Sequence, residues 1–135
     1  MPELMWAVLC QQALVDEETG AISHINTVEE ITLGEGEELP GRLPTLTLAS
    51  VWRRSEPDET LRVRLRFLSP GGVEAVHTLP EVRFEALRHR WNVKLAGLVV
   101  DAIGDCSITI EKQTADRWQQ AATIIFPVLA PEPAA

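Results

Sequence analysis

Arg62, Arg64 and Arg66 stand at alternate positions in the run TLRVRLRFL, and Arg88, Arg90 and Lys94 repeat the pattern in RHRWNVKL. Residues two apart in a strand share a face, so each run carries its cations on one side and its apolar residues on the other. A guanidinium presents planar donors that match the paired oxygens of a carboxylate or phosphate. If the two strands lie in one sheet, the six cations form a single anion-binding face, suited to an acidic protein or a nucleic acid and weakened by salt. The competing arrangement sets Glu74, Glu85 or Glu111 on adjacent strands as cross-strand ion pairs, leaving a solvated and neutral surface. The net charge of −8 favours the second arrangement and weighs against nucleic acid.

Other reactive side chains are less organised. Asp16, Glu17 and Glu18 cluster in one acidic turn, with Asp101 and Asp105 in another and Glu35, Glu37 and Glu38 in a third. Hard cations take oxygen ligands from several loops at once, so these turns outline a calcium-dependent module; a solvated hairpin turn is the expected reading. His24, His77 and His89 are scattered singly, without zinc-ligand spacing. Cys10 and Cys106 lie in apolar runs where a thiol is inert, so buried reduced cysteines are expected, with a single cross-sheet bridge left open. Trp6, Trp52, Trp91 and Trp118 all fall in strand-like segments; core packing accounts for most, and Trp118, between Arg117 and Gln119, is a candidate interface residue. No pair of aromatics is spaced to stack single-stranded bases. These observations point away from an enzyme and imply no cofactor and no metal site.

The elements that position these residues are strands. MWAVLCQQALV and AISHINTVEEITL flank the polar turn DEETG as a hairpin. In the second of these runs Ile25 and Val28 both read as buried, which a β-bulge near Asn26 would reconcile. Residues 34–44 read as an exposed loop rich in Gly, Pro and Glu. TLTLASVWRR places Leu46, Leu48 and Trp52 opposite Thr45, Thr47 and Arg53, and TLRVRLRFL places Leu61, Val63, Leu65 and Phe67 opposite its arginines. SPGG makes a second hairpin with VEAVHTL. PEVRFEAL is either an irregular crossover or a short extra strand. RHRWNVKL directs His89, Trp91, Val93 and Leu95 one way and its cations the other; CSITIEKQ and WQQAATIIFPVL close the chain around the turn TADR.

The 135 residues suffice for one domain with a substantial core, and 45% hydrophobic with 24% charged residues exclude wholesale disorder. The expected fold is all-β, a single antiparallel β-sandwich of about eight strands over residues 1–130, with a β-barrel as the alternative. Residues 131–135 read as a fraying Pro and Ala tail. Charge is uneven: residues 1–41 hold nine acidic groups and no basic ones, whereas residues 42–94 hold ten basic against six acidic. No apolar run approaches the roughly 20 residues of a spanning helix. The chain opens with Pro2 and Glu3 and has no Lys or Arg before Arg42, unlike a secretory signal, so cytoplasmic residence without membrane insertion is expected. AVLC, ending at Cys10, lacks the basic start of a lipoprotein signal, so Cys10 reads as a core residue.

The segment AVLCQQALVDEETGAISHINTVEEI, Ala7 to Ile31, resembles the start of a family of small bacterial proteins classed as a domain of unknown function. Weaker matches are PTLTLASVWRR, Pro44 to Arg54, and GDCSITIEK, Gly104 to Lys112. The resemblance spans nearly the whole chain. It implies a single β-sandwich domain, similar to C2-like or immunoglobulin-like folds, and carries no functional residues with it. The functional expectation is a non-catalytic protein-interaction or structural module working through a sheet face or edge strand, with a protein partner or a second copy. Alternatives are an anion or nucleic-acid binder using the arginine face and a calcium-dependent C2-like module.

Overall fold

The computed structural model of the chain describes residues 1–15, 18–19, 22–34 and 37–131, with backbone only at Val15 and residues 22–26. Every described regular element is a strand. In chain order they are β1 (Glu3–Val15), β2 (Ile22–Thr27), β3 (Ile31–Thr32), β4 (Gly41–Arg42), β5 (Leu46–Arg53), β6 (Thr60–Leu61) and β7 (Val63–Leu68). There follow β8 (Glu74–Thr78), β9 (Val82–Arg83), β10 (Arg88–Leu95), β11 (Val99–Val100), β12 (Gly104–Thr114) and β13 (Arg117–Leu129). Four strands form a first sheet in the order β10-β5-β1-β2, and five form a second in the order β3-β13-β12-β7-β8. Two short pairs, β11 with β4 and β6 with β9, complete an all-β architecture of the broad sandwich and barrel class. Among the described residues no helix is long and apolar enough to cross a membrane, a statement that does not bear on β-barrels.

Alternation explains the second sheet directly. Val63, Leu65 and Phe67 of β7 are buried while Arg64 and Arg66 are partly exposed, and Cys106, Ile108 and Ile110 of β12 repeat the pattern. Their inward side chains meet Leu9, Leu48 and Trp52 of the first sheet in one core cluster, joined by Leu43, Phe84, Leu98 and Val100 from the connections. Burying such side chains contributes about 1.5–3 kcal/mol each relative to exposure. The fully buried Trp52 donates its indole N–H to Ser50 Oγ at 3.1 Å, and Ser50 Oγ donates in turn to the Trp91 carbonyl at 3.3 Å. Thus the largest core side chain keeps a hydrogen-bond partner in an environment where an orphaned donor would be costly.

β5 departs from its sequence pattern. Leu46, Leu48 and Trp52 face the core as expected, yet Thr47, Ala49 and Val51 on the opposite side are also buried. β5 is paired along both edges, between β1 and β10. Both hairpins are present: β1 pairs antiparallel with β2, and β7 with β8. No register shift occurs at Asn26, since Cys10 faces Thr27 and Gln12 faces Ile25 in regular order, so the expected bulge is absent there. Shifts fall instead at Leu4/Trp6 of β1 against β5 and at Ile110/Glu111 of β12 against β13. The first turns both Met5 and Trp6 toward solvent; two successive exposed side chains need the extra residue that a bulge supplies. PEVRFEAL contains a short strand, β9, paired with β6. Residues 34–44 include β4, which pairs with β11. Asp16, Glu17, Gly20, Ala21, Glu35, Gly36 and residues 132–135, and with them the acidic turn and most of the terminal tail, lie outside the described residues.

Candidate functional site

The two cationic strands do not share a sheet. β7 lies in the second sheet between β12 and β8, whereas β10 is an edge of the first sheet beside β5. The expected six-residue patch is therefore divided, because strand order is set by pairings distant in sequence rather than by the pattern within each strand. Arg62, Arg64 and Arg66 belong to one surface, and Arg88, Arg90 and Lys94 to another.

On the second sheet the register sets Glu111 opposite Arg64 and Val76 opposite Arg66, with Glu74 two pairs further on, opposite Leu68. Glu111 accepts two bonds from Arg64, at 3.0 Å from Nε and 3.3 Å from Nη2, and one at 3.2 Å from Arg66 Nε. Arg66 Nη1 reaches Glu74 at 3.3 Å. Arg64 also lies 4.5 Å from the centre of the Trp118 ring, and Arg62 donates to Gln113 at 3.4 Å. Hydrogen bonding from Arg64 holds the Glu111 carboxyl below its ordinary range, with Arg66 adding to the effect against some desolvation. Trp118, the candidate interface residue, is half-buried beneath this network. The cross-strand pairing anticipated for Glu74 and Glu111 is present.

The outer face of the first sheet differs. Reading across its register, Arg88, Arg53 and Glu3 form one row, Arg90, Val51 and Trp6 the next, then Asn92, Ala49 and Val8, then Lys94, Thr47 and Cys10. Cations occupy three of the four β10 positions, and the central column consists of Val51, Ala49 and Thr47, all buried. Two separate recesses open on this face. One, of about 350 Å³, is lined by Trp6, Val51, Arg88 and Arg90. The other, of about 320 Å³, is bordered by Gln12, Thr45, Thr47, Asn92 and Lys94 among others. Among the described residues, Arg53, Arg88, Arg90 and Lys94 have no carboxylate within ion-pair distance. Arg53 was legible on this face from the alternation of β5, but nothing local linked it to β10. Trp6, 38% exposed beside Arg90 in the register, was likewise not distinguishable from a core tryptophan.

Other reactive side chains are accounted for structurally. Cys10 and Cys106 are both free and fully buried, with no bridge between them. Desolvation raises the thiol pKa of both, that of Cys106 to about 11, so neither supplies a thiolate near neutral pH. His89 packs edge-on between Phe84 and Trp91 with centroid distances of 6.1 and 5.4 Å, and burial lowers its pKa against the opposing charge of Glu85. His77 is exposed, and the side chain of His24 lies outside the description.

The Asp101 carboxylate accepts the Gly71 N–H at 3.0 Å and a bond from Ser69, which lowers its pKa and ties the β7–β8 turn to the β11–β12 connection. A side chain at Gly71 would bring its Cβ within 1.9 Å of Asp101 Oδ2, so this close approach requires glycine. Among the described residues no group of three acidic, His or Cys side chains is placed to hold a metal ion.

No protein-family model matches the chain, and no curated protein matches it either. Among solved structures its fold is similar to part of the Pseudomonas fluorescens alkylpurine DNA glycosylase AlkC bound to DNA containing an abasic site analog. The match has a TM-score of 0.53 at 12% identity and covers 92% of this chain. The chain spans 30% of that glycosylase chain.

Proposed function

We propose that this chain is a non-catalytic interaction module, of C2-like or immunoglobulin-like kind, that takes a protein partner on the outer face and open edge of its first sheet. The observation that carries this reading is the unneutralised state of Arg53, Arg88, Arg90 and Lys94 among the described residues. In an acidic protein, a row of cations with no ion-pair partner among the described residues gives a local field of opposite sign, which would steer and orient a negatively charged partner. The second reading, an anion or nucleic-acid binder, rests on the same cations and is opposed by the net charge of −8. The likeness to a DNA-bound glycosylase, at 12% identity, supports a shared fold and lends no weight to DNA binding here.

Capture from lysate at low and at high salt, with the intact chain and with an R88E/R90E variant, tests the reading. One protein partner held by the intact chain and lost from the variant is the expected outcome. Partners held equally by both chains would refute it, and salt-released nucleic acid would put the second reading in its place.

A further inference from the structure

β10 is one of the two edges of the first sheet, β2 being the other. Its eight residues pair with β5 on one side, and among the described residues no backbone hydrogen bond joins its other side to a neighbouring strand. A strand of this length offers alternate N–H and C=O groups over about 26 Å, at about 3.3 Å per residue. Such an edge is a template for a further strand.

Its side chains specify what that strand should be. Arg88, Arg90 and Lys94 project on the outer face, while His89, Trp91 and Val93 project inward and are only half-buried. Trp91 and Val93 already pack against the core cluster, so an added strand would finish burying them. In the face-aligned antiparallel pairing of β10 with a second copy of itself centred on Trp91, Arg88 would stand opposite Lys94 at both ends, with Arg90 opposite Asn92, and like charges directly opposite are destabilising. The edge thus discriminates against self-pairing and in favour of an acidic strand. Near its start β10 borders a recess of about 380 Å³ lined by Val82, Arg83, Glu85, Ala86, Arg88 and His89, which gives an incoming chain room to enter.

We infer that the partner contributes an extended segment of alternating acidic and apolar residues that adds to the first sheet along β10, its carboxylates pairing with Arg88, Arg90 and Lys94 and its apolar side chains covering Trp91 and Val93. This rests on the reading of the first sheet as the partner surface. Opposed side chains on neighbouring strands stand about 5 Å apart, within reach of an arginine–carboxylate pair. The alternation follows from strand geometry: residues facing the cations and residues facing the core must take turns.

The test uses three fluorescein-labelled synthetic octapeptides and the full chain. The first alternates Glu with Val; the second has the same composition with its Glu residues clustered; the third repeats the first with alternate backbone nitrogens methylated to block strand pairing. Fluorescence anisotropy should show the first peptide binding, the other two weaker by about tenfold or more, and an equal loss with the R88E/R90E variant. K94E provides a second variant, and circular dichroism confirms that both remain folded. Equal binding of the clustered peptide would overturn the inference by reducing it to charge attraction. So would binding unaffected by either variant, absence of binding by all three peptides, tighter capture of a labelled single-stranded oligonucleotide, or a dimer in sedimentation that R88E/R90E dissolves. Failure of the peptides while a lysate partner is still lost from R88E/R90E would overturn this inference alone. Failure of both would overturn the proposed function with it.

Discussion

β7 and β10 carry nearly the same alternation of cations and apolar residues, yet their charges meet different surroundings. β7 lies between β12 and β8, which bring Glu111 and Glu74 against Arg64 and Arg66. β10 lies at an edge beside β5, whose facing residues are Arg53, Val51, Ala49 and Thr47. A strand's own sequence decides which way its charges point; its neighbours decide whether those charges are neutralised. Arginine on the second sheet is therefore tied into the structure, while arginine on the first sheet has no carboxylate partner among the described residues.

If this division is right, substitutions on the two faces should have opposite consequences. The largest expected effect is that of Glu111→Ala, which removes the carboxylate shared by Arg64 and Arg66. Glu111 and Arg64 are 13% and 22% exposed, so two partly desolvated guanidinium groups would lose their common acceptor. Chemical denaturation should show a loss of about 2 kcal/mol, the scale of charge-assisted hydrogen bonds left unmade. A loss indistinguishable from zero would mean that this network is no more structural than the face of β10.

The acid limb of stability gives a sharper and smaller contrast. The Glu111 pKa is lowered in the folded state from 4.5, so its contribution is fully present above about pH 4.5 and is lost as pH falls below that value through the folded pKa. Glu111→Gln should flatten the fall in Tm over this range relative to the parent chain, with little change in slope between pH 6 and 7. An unchanged acid limb would contradict the assignment. The smallest effect is expected at the other face: R88E/R90E should alter stability by no more than about 0.5 kcal/mol, because it breaks no ion pair among the described residues. A substantial loss would show that those arginines, too, support the fold.

Local pattern made much of this molecule legible. The inward residues of β7, β10 and β12 follow from alternation alone, as does the hairpin around Pro70 and Gly71, and the pairing of Glu111 and Glu74 with the arginines was foreseeable once carboxylates stood at outward positions. What alternation does not encode is which strands are neighbours. It therefore could not divide the cations between sheets, place Arg53 beside Arg88, or reveal that the outward side of β5 is buried. The shift at Leu4/Trp6, and the exposure of Trp6 that goes with it, depend on pairing with β5 some forty residues away. Trp118 reads as a surface residue because polar residues flank it, but the guanidinium of Arg64, distant in sequence, covers its ring.

The most direct measurement is an amide chemical-shift map of the intact chain titrated with the alternating Glu–Val octapeptide. Shifts and slowed exchange concentrated in residues 88–95, with Arg62, Arg64 and Arg66 undisturbed, are the predicted result. Shifts centred on Arg64, Arg66 and Glu111, or spread evenly over both sheets, would contradict the division between a structural and an available arginine face.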